Sequence, residues 1–167
     1  MTEKLESQLP AVVETAIGRF IANFSLLEEW LREIVLDTPN LSVLAGDIIT
    51  SELPFRGLLN ACGAIVHEYS NDPEVLRLTD EVLPKIDRMN DFRNQLVHSV
   101  LYGDMENRHL AFRSKTKAHR KKGAQHSLQE LRQEDLLEKC DELALLTGTI
   151  KEIYDQINAE QSDGDGS

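Results

Sequence analysis

Residues 73–101, PEVLRLTDEVLPKIDRMNDFRNQLVHSVL, decide the fold class. At about 100° per residue, Val75, Leu78, Val82, Ile86, Met89, Leu96, Val97 and Val100 gather in a stripe roughly 100° wide, which makes this a helix with one buried face. Asn71-Asp72-Pro73 starts it, with Asp72 as N-cap and Pro73 at the first helical position. The pattern runs to about residue 101, and Pro84 is expected to kink or divide it.

Arg93 falls in the middle of that apolar stripe. Burying a lone guanidinium costs several kcal/mol or more. The residue is therefore paired inside a core, for example with Glu28 or Glu29, or it sits at a subunit interface or opens onto a cleft. Asn94 and His98, four residues apart, share a face beside the stripe, while Arg93 and His98 are about 140° apart on an ideal helix. A single copy of this motif need not be a complete site. A twofold axis would bring two arginines and two histidines around one phosphate, with the apolar stripe as the interface.

Working outward, residues 9–36 place Val13, Ile17, Phe20, Phe24, Leu27, Leu31 and Ile34 at alternating spacings of four and three, a second amphipathic helix suited to bundle packing. Gly18 interrupts it, either for close approach of another helix or as a tolerated weak point. Residues 41–70, broken by Gly46, Pro54 and Gly57, read as a short helix, a bend near 52–54 and another helix through His67. Residues 100–102 and 109–112 flank a turn-like segment and form a candidate hairpin. Ser127-Leu128-Gln129-Glu130 reads as a capping box opening a last helix to about residue 158. The expected architecture is an all-α bundle of four to five helices over residues 10–158, with a short irregular or hairpin insertion before the last helix. Residues 1–9 are expected to be flexible and 159–167 disordered.

The chain has 167 residues, 41% hydrophobic and 28% charged, enough for a bundle-sized core. Residues 1–10 lack the apolar run of a secretory signal and no stretch suits a membrane span, so a cytoplasmic location and no membrane partner are expected. Cys62 and Cys140 are too few and too far apart for a disulfide framework or a Cys/His metal spacing, and read as buried thiols.

The net charge of −11 is unevenly distributed: residues 107–126 carry +7 and no acid, leaving −18 on the rest. Arg108, Arg113, Lys115, Lys117, Arg120, Lys121 and Lys122 supply that charge. Such a segment either attracts a polyanion or contacts the protein's own acidic surface. With Phe112 as a stacking group or a core residue, it is the candidate RNA-binding element.

An imidazole moves protons near neutral pH, and a guanidinium holds phosphate through paired hydrogen bonds. The motif Arg93-Asn94-x3-His98, with the Gly18-Arg19-Phe20 and Leu27-Glu28 portions of the first helix and the final helix, resembles the HEPN superfamily over about residues 12–157. The resemblance implies a HEPN-like bundle and a metal-independent endoribonuclease that works as a homodimer with a composite site. Attack of a ribose 2'-hydroxyl on the adjacent phosphate would leave a 2',3'-cyclic phosphate. His98 would be general base or acid, Arg93 would stabilise charge on the phosphate, and Asn94 would orient the histidine or a phosphate oxygen. It also implies a place in prokaryotic defence, stress response or a toxin–antitoxin system, with an antitoxin or other regulatory protein as partner. Toxins of the family that are silenced by nucleotide transfer carry a tyrosine two residues after the histidine. Here that position is Val100, and Tyr102 is the nearest tyrosine.

The alternative is a noncatalytic HEPN-like module binding RNA, a nucleotide or a protein. A metalloenzyme ranks behind both, since His67, His109, His119 and His126 form no HExxH arrangement and the Glu-x-x-His ligands of di-iron bundles are absent. No metal and no cofactor are expected.

Overall fold

The structure, a computed structural model, describes residues 9–39, 41–104, 106–107, 109–119 and 123–164. Its elements are α1 (Ala11–Asp37), α2 (Val43–Ser51), α3 (Phe55–Tyr69), α4 (Pro73–Val97), β1 (Val100–Gly103), β2 (Leu110–His119), β3 (Gly123–Arg132) and α5 (Gln133–Gly164). Five helices agree with the periodicity, but the three strands form an antiparallel sheet in the order β1-β2-β3, so the chain is not purely all-α. The fold divides into two compact units, one of Met1–Ala22 and Phe92–Asp141 and one of Asn23–Asp91 and Glu142–Ser167.

In the second unit the α1 stripe of Phe24, Leu27, Leu31 and Ile34 is buried, as are Leu58, Cys62 and Val66 of α3, Val75, Val82, Ile86 and Met89 of α4, and Leu143, Ile150, Ile153 and Ile157 of α5. Phe24 packs on Phe55 at 4.9 Å between ring centroids. Asp72 caps α4 as expected, its Oδ1 accepting the Glu74 N–H at 2.8 Å. Pro84 does not divide α4, which runs from Pro73 to Val97; the proline and Asp80, whose carbonyl loses its N–H partner, are both exposed.

The expected end of α5 near 158 is corrected by tertiary bonds. Gln161 Nε2 donates to the Thr38 carbonyl at 2.9 Å, and Glu160 accepts from Ser70 Oγ at 2.7 Å and the Asn71 N–H at 3.1 Å. These ties continue the helix to Gly164. Tyr154, on the same helix, donates to Asp37 Oδ2 at 2.6 Å and packs against Trp30 with the rings tilted by 58°. The Cys62 thiol is buried, and the loss of water pushes its pKa up to about 12.

In the first unit Val13, Ala16 and Phe20 of α1 are buried with Leu96, Ala111, Leu131, Leu136 and Cys140. Phe20 meets Phe92 edge-on at 5.2 Å, and Arg19 Nη2 lies 3.3 Å from Asp141 Oδ1. A Cβ at Gly18 would meet nothing within 4 Å, so this glycine is a weak point of the helix rather than a close-approach site.

The candidate hairpin forms, with Val100–Gly103 opposite Ala111–Ser114, but β2 continues through ten residues and pairs with all of β3. The basic segment, expected as an irregular excursion, is largely this second hairpin. The capping-box reading of Ser127 to Glu130 is overturned, since these residues lie opposite Lys115, Ser114, Arg113 and Phe112 in the ladder. A local cap satisfies one or two backbone donors, whereas a ten-residue ladder pairs most of the segment's backbone groups. α5 begins later, at Gln133, whose N–H donates to the His109 carbonyl at 2.9 Å.

Candidate functional site

α4 ends at Val97, with the last helical-type backbone bond made by His98 and the next carbonyl taken by a side chain. The His98 N–H donates to the Asn94 carbonyl at 3.0 Å, and Ser99 Oγ donates to the Gln95 carbonyl at 2.5 Å. The chain then turns into β1 at Val100. The helix end presents carbonyls, which repel anions, so any attraction for a phosphate there must come from a side-chain cation.

Arg93 is that cation. It is half-buried, and its Nη1 donates to Asn94 Oδ1 at 3.0 Å. His98 is exposed, and among the described residues its ring makes no side-chain hydrogen bond. Arginine and amide thus occupy the last turn of α4 and the imidazole the residue just past it, all in the first unit. Two apolar neighbours do not behave as the stripe implied. Val97 and Val100 are exposed, because α4 ends before a further turn would face them inward.

Of the basic segment, Arg108, Arg120, Lys121 and Lys122 lie outside the described residues. Lys115 and Lys117 lie in β2 opposite Ser127 and Gln125. Arg113 departs from a solvated loop residue: it is only 9% exposed, and its Nη2 donates to Gln129 Oε1. Among the described residues it has no carboxylate partner, and burial alone pushes its pKa down. A cation shielded from water and matched only by a neutral amide keeps donors for an anion.

Asx turns shape the β1–β2 connection, with Asp104 Oδ1 accepting the Glu106 N–H at 2.8 Å and Asn107 Oδ1 the His109 N–H at 3.0 Å. Gln129 and Tyr102 were not singled out from sequence as functional. No sequence signal would have found them, since Ala111-Phe112-Arg113-Ser114 lacks the apolar–polar alternation of a strand and the alternation shows only in the burial.

The chain matches no protein-family model, no curated protein and no solved structure. The function must be argued from the site itself.

Among the described residues no group of three or more His, Cys, Asp or Glu side chains suits a metal ion, and no helix is long and apolar enough to cross a membrane. In the second unit, a cleft of about 490 Å³ is lined by Glu29, Glu33 and Asp37 with Arg32. Arg32 already bridges Glu28 at 2.7 Å, so the cleft is acidic and a poor phosphate site. The motif, by contrast, stands on an open helix end, where a large substrate has access.

Proposed function

We propose that this chain is a HEPN-like, metal-independent endoribonuclease that acts as a homodimer, in prokaryotic defence, stress response or a toxin–antitoxin system. The observation that carries the reading is the last turn of α4, where Arg93 is held by Asn94 at 3.0 Å and His98 stands exposed one step past the helix end. The guanidinium would meet a phosphate of the RNA backbone, and the imidazole would take the 2'-hydroxyl proton or protonate the leaving 5'-oxygen. The bare His98 ring fits a composite site, in which a second copy supplies the partner that orients it. The arginines and lysines of 107–126 would hold the strand.

A noncatalytic RNA-binding module is the second reading. It is favoured by the same His98 ring, since a general base with nothing to fix its tautomer is poorly prepared for proton transfer. The test is incubation with single-stranded and structured RNA in EDTA, beside Arg93→Ala and His98→Ala. Cyclic-phosphate ends that disappear in both variants support the ribonuclease. Cleavage persisting in either variant removes that residue's role, and RNA bound but left intact selects the binding module.

A further inference from the structure

Helix α2 turns its apolar side to solvent. Among its described residues the buried ones are Gly46 and Thr50, one turn apart, while Leu44 is 73% exposed, Ile48 60% and Ile49 49%, with Leu41 just before the helix at 37%. Packing fixes the inward side. A Cβ at Gly46 would collide with the buried Leu36 side chain, so glycine lets α2 lie close against the end of α1, and Thr50 Oγ1 donates to the Gly46 carbonyl at 3.0 Å. Leu44, Ile48 and Ser51 fall within about 60° of one another on an ideal helix. Ser51 and Leu41 in turn line the cleft of about 490 Å³ that also holds Glu29, Glu33 and Asp37, each one turn of α1 apart. The apolar face and the acidic row therefore border one groove within the second unit.

Leu41, Leu44 and Ile48 stand at the i, i+3 and i+7 spacing with which one helix receives another, and charge selects the occupant. Residues 33–55 hold four acids, Glu33, Asp37, Asp47 and Glu52, and no Lys, Arg or His. The cations at either end are engaged elsewhere. Arg32 bridges Glu28 at 2.7 Å and Glu29 at 3.7 Å, and Arg56 bridges Asp87 at 2.8 Å and Asp91 at 3.0 Å. Two copies meeting through this face would double its carboxylates with no cation to offset them. RNA and an anionic membrane are repelled for the same reason. A helix whose apolar stripe is flanked by lysines or arginines gains from the stripe and from the carboxylate row together.

We infer that the groove between α2 and the acidic row of α1 docks a basic amphipathic helix of a second protein, with its apolar side chains on Leu41, Leu44 and Ile48 and its cations against Glu29, Glu33 and Asp37. The groove belongs to the second unit and the Arg93 motif to the first, so docking here does not require RNA cleavage.

The experiment is fluorescence anisotropy of the full chain with a labelled two-heptad peptide of leucine, lysine and alanine, its leucines at helical spacing. Two controls are a peptide of the same composition with scattered leucines and the first peptide with glutamate for lysine. The proteins are the wild type, Ile48→Gln and the Glu29→Gln/Glu33→Gln double variant, each checked by circular dichroism and light scattering. The lysine peptide should bind at least about fivefold more tightly than its scattered control of equal charge, and the glutamate peptide should not bind. Ile48→Gln and the double variant should each weaken binding at least about fivefold, the second loss shrinking as salt is raised. No binding of the lysine peptide, equal binding of either control, or unchanged affinity in either variant overturns the docking site. A wild-type oligomer that Ile48→Gln dissociates also overturns it, making the face a self-association surface. So does binding to phosphatidylcholine–phosphatidylglycerol vesicles that Ile48→Gln abolishes, which makes it a membrane surface.

Discussion

On the function proposed above, Asn94→Asp should leave stability nearly unchanged and lower RNA cleavage. Arg93 Nη1 donates to Asn94 Oδ1 at 3.0 Å, a neutral-acceptor bond. Aspartate has nearly the same shape, so the geometry survives and the bond becomes charge-assisted, its net worth rising from about 1 kcal/mol to about 1.5–3 kcal/mol. Both residues are only half-buried, so solvent screening reduces the gain to about 0.5 kcal/mol, and the carbonyls of the helix end oppose a carboxylate there by about as much, leaving the melting temperature within about 2 °C. On the proposed function, the same carboxylate would compete with the RNA phosphate for the Arg93 guanidinium. A loss of at least about tenfold in kcat/KM is expected, equivalent to roughly 1.4 kcal/mol of transition-state stabilisation. Asn94→Ala would instead lose the hydrogen bond, lowering stability by about 1 kcal/mol while leaving the arginine's charge intact. Thermal melts followed by circular dichroism and initial rates on a fluorogenic RNA in EDTA read both quantities. An Asn94→Asp protein that keeps full kcat/KM refutes the role of Arg93 at the phosphate, and one that melts more than about 4 °C lower refutes the local geometry.

Gly18→Ala and Gly148→Ala should each raise stability by about 0.5–1 kcal/mol, since both glycines lie in helices and an added Cβ meets nothing within 4 Å; a lower melting temperature would show that the surroundings are not open. The hydrogen bond to Asp37, reinforced by burial, raises the pKa of Tyr154. Its contribution is therefore complete below the ordinary tyrosine value of about 10 and is lost as pH rises through the folded value. Urea titrations from pH 8 to 11 should show a fall that Tyr154→Phe lessens, and an unchanged slope counts against it. Arg113→Met should leave stability equal or higher, because a shielded cation with no carboxylate partner among the described residues is removed and the exposed Gln129 takes up water. The same variant should bind RNA more weakly in a salt titration, and undiminished binding would make Arg113 purely structural.

Helix existence was legible in the chain because helical signals are local. The stripe of Phe20, Phe24, Leu27, Leu31 and Ile34 and the Asp72-Pro73 start each act within a few residues, and the burial of that stripe and the capping bond from Asp72 follow them. The grouping of Arg93, Asn94 and His98 on one helix end was fixed in the same way, by spacing alone. The β2–β3 ladder was not legible, because its largely polar strands lack an apolar alternation and Ser127 to Glu130 carries a competing helix signal.

The sequence by itself thus determined a bundle of four to five helices and the composition of the motif, since both depend on neighbours three and four positions apart. Only the tertiary structure decided that the basic segment becomes a sheet, that Arg113 is withdrawn from water against Gln129, that Val97 and Val100 stay exposed, and that α5 runs to Gly164. Each of those outcomes depends on partners distant along the chain, whose burial and hydrogen bonds outweigh the local preference.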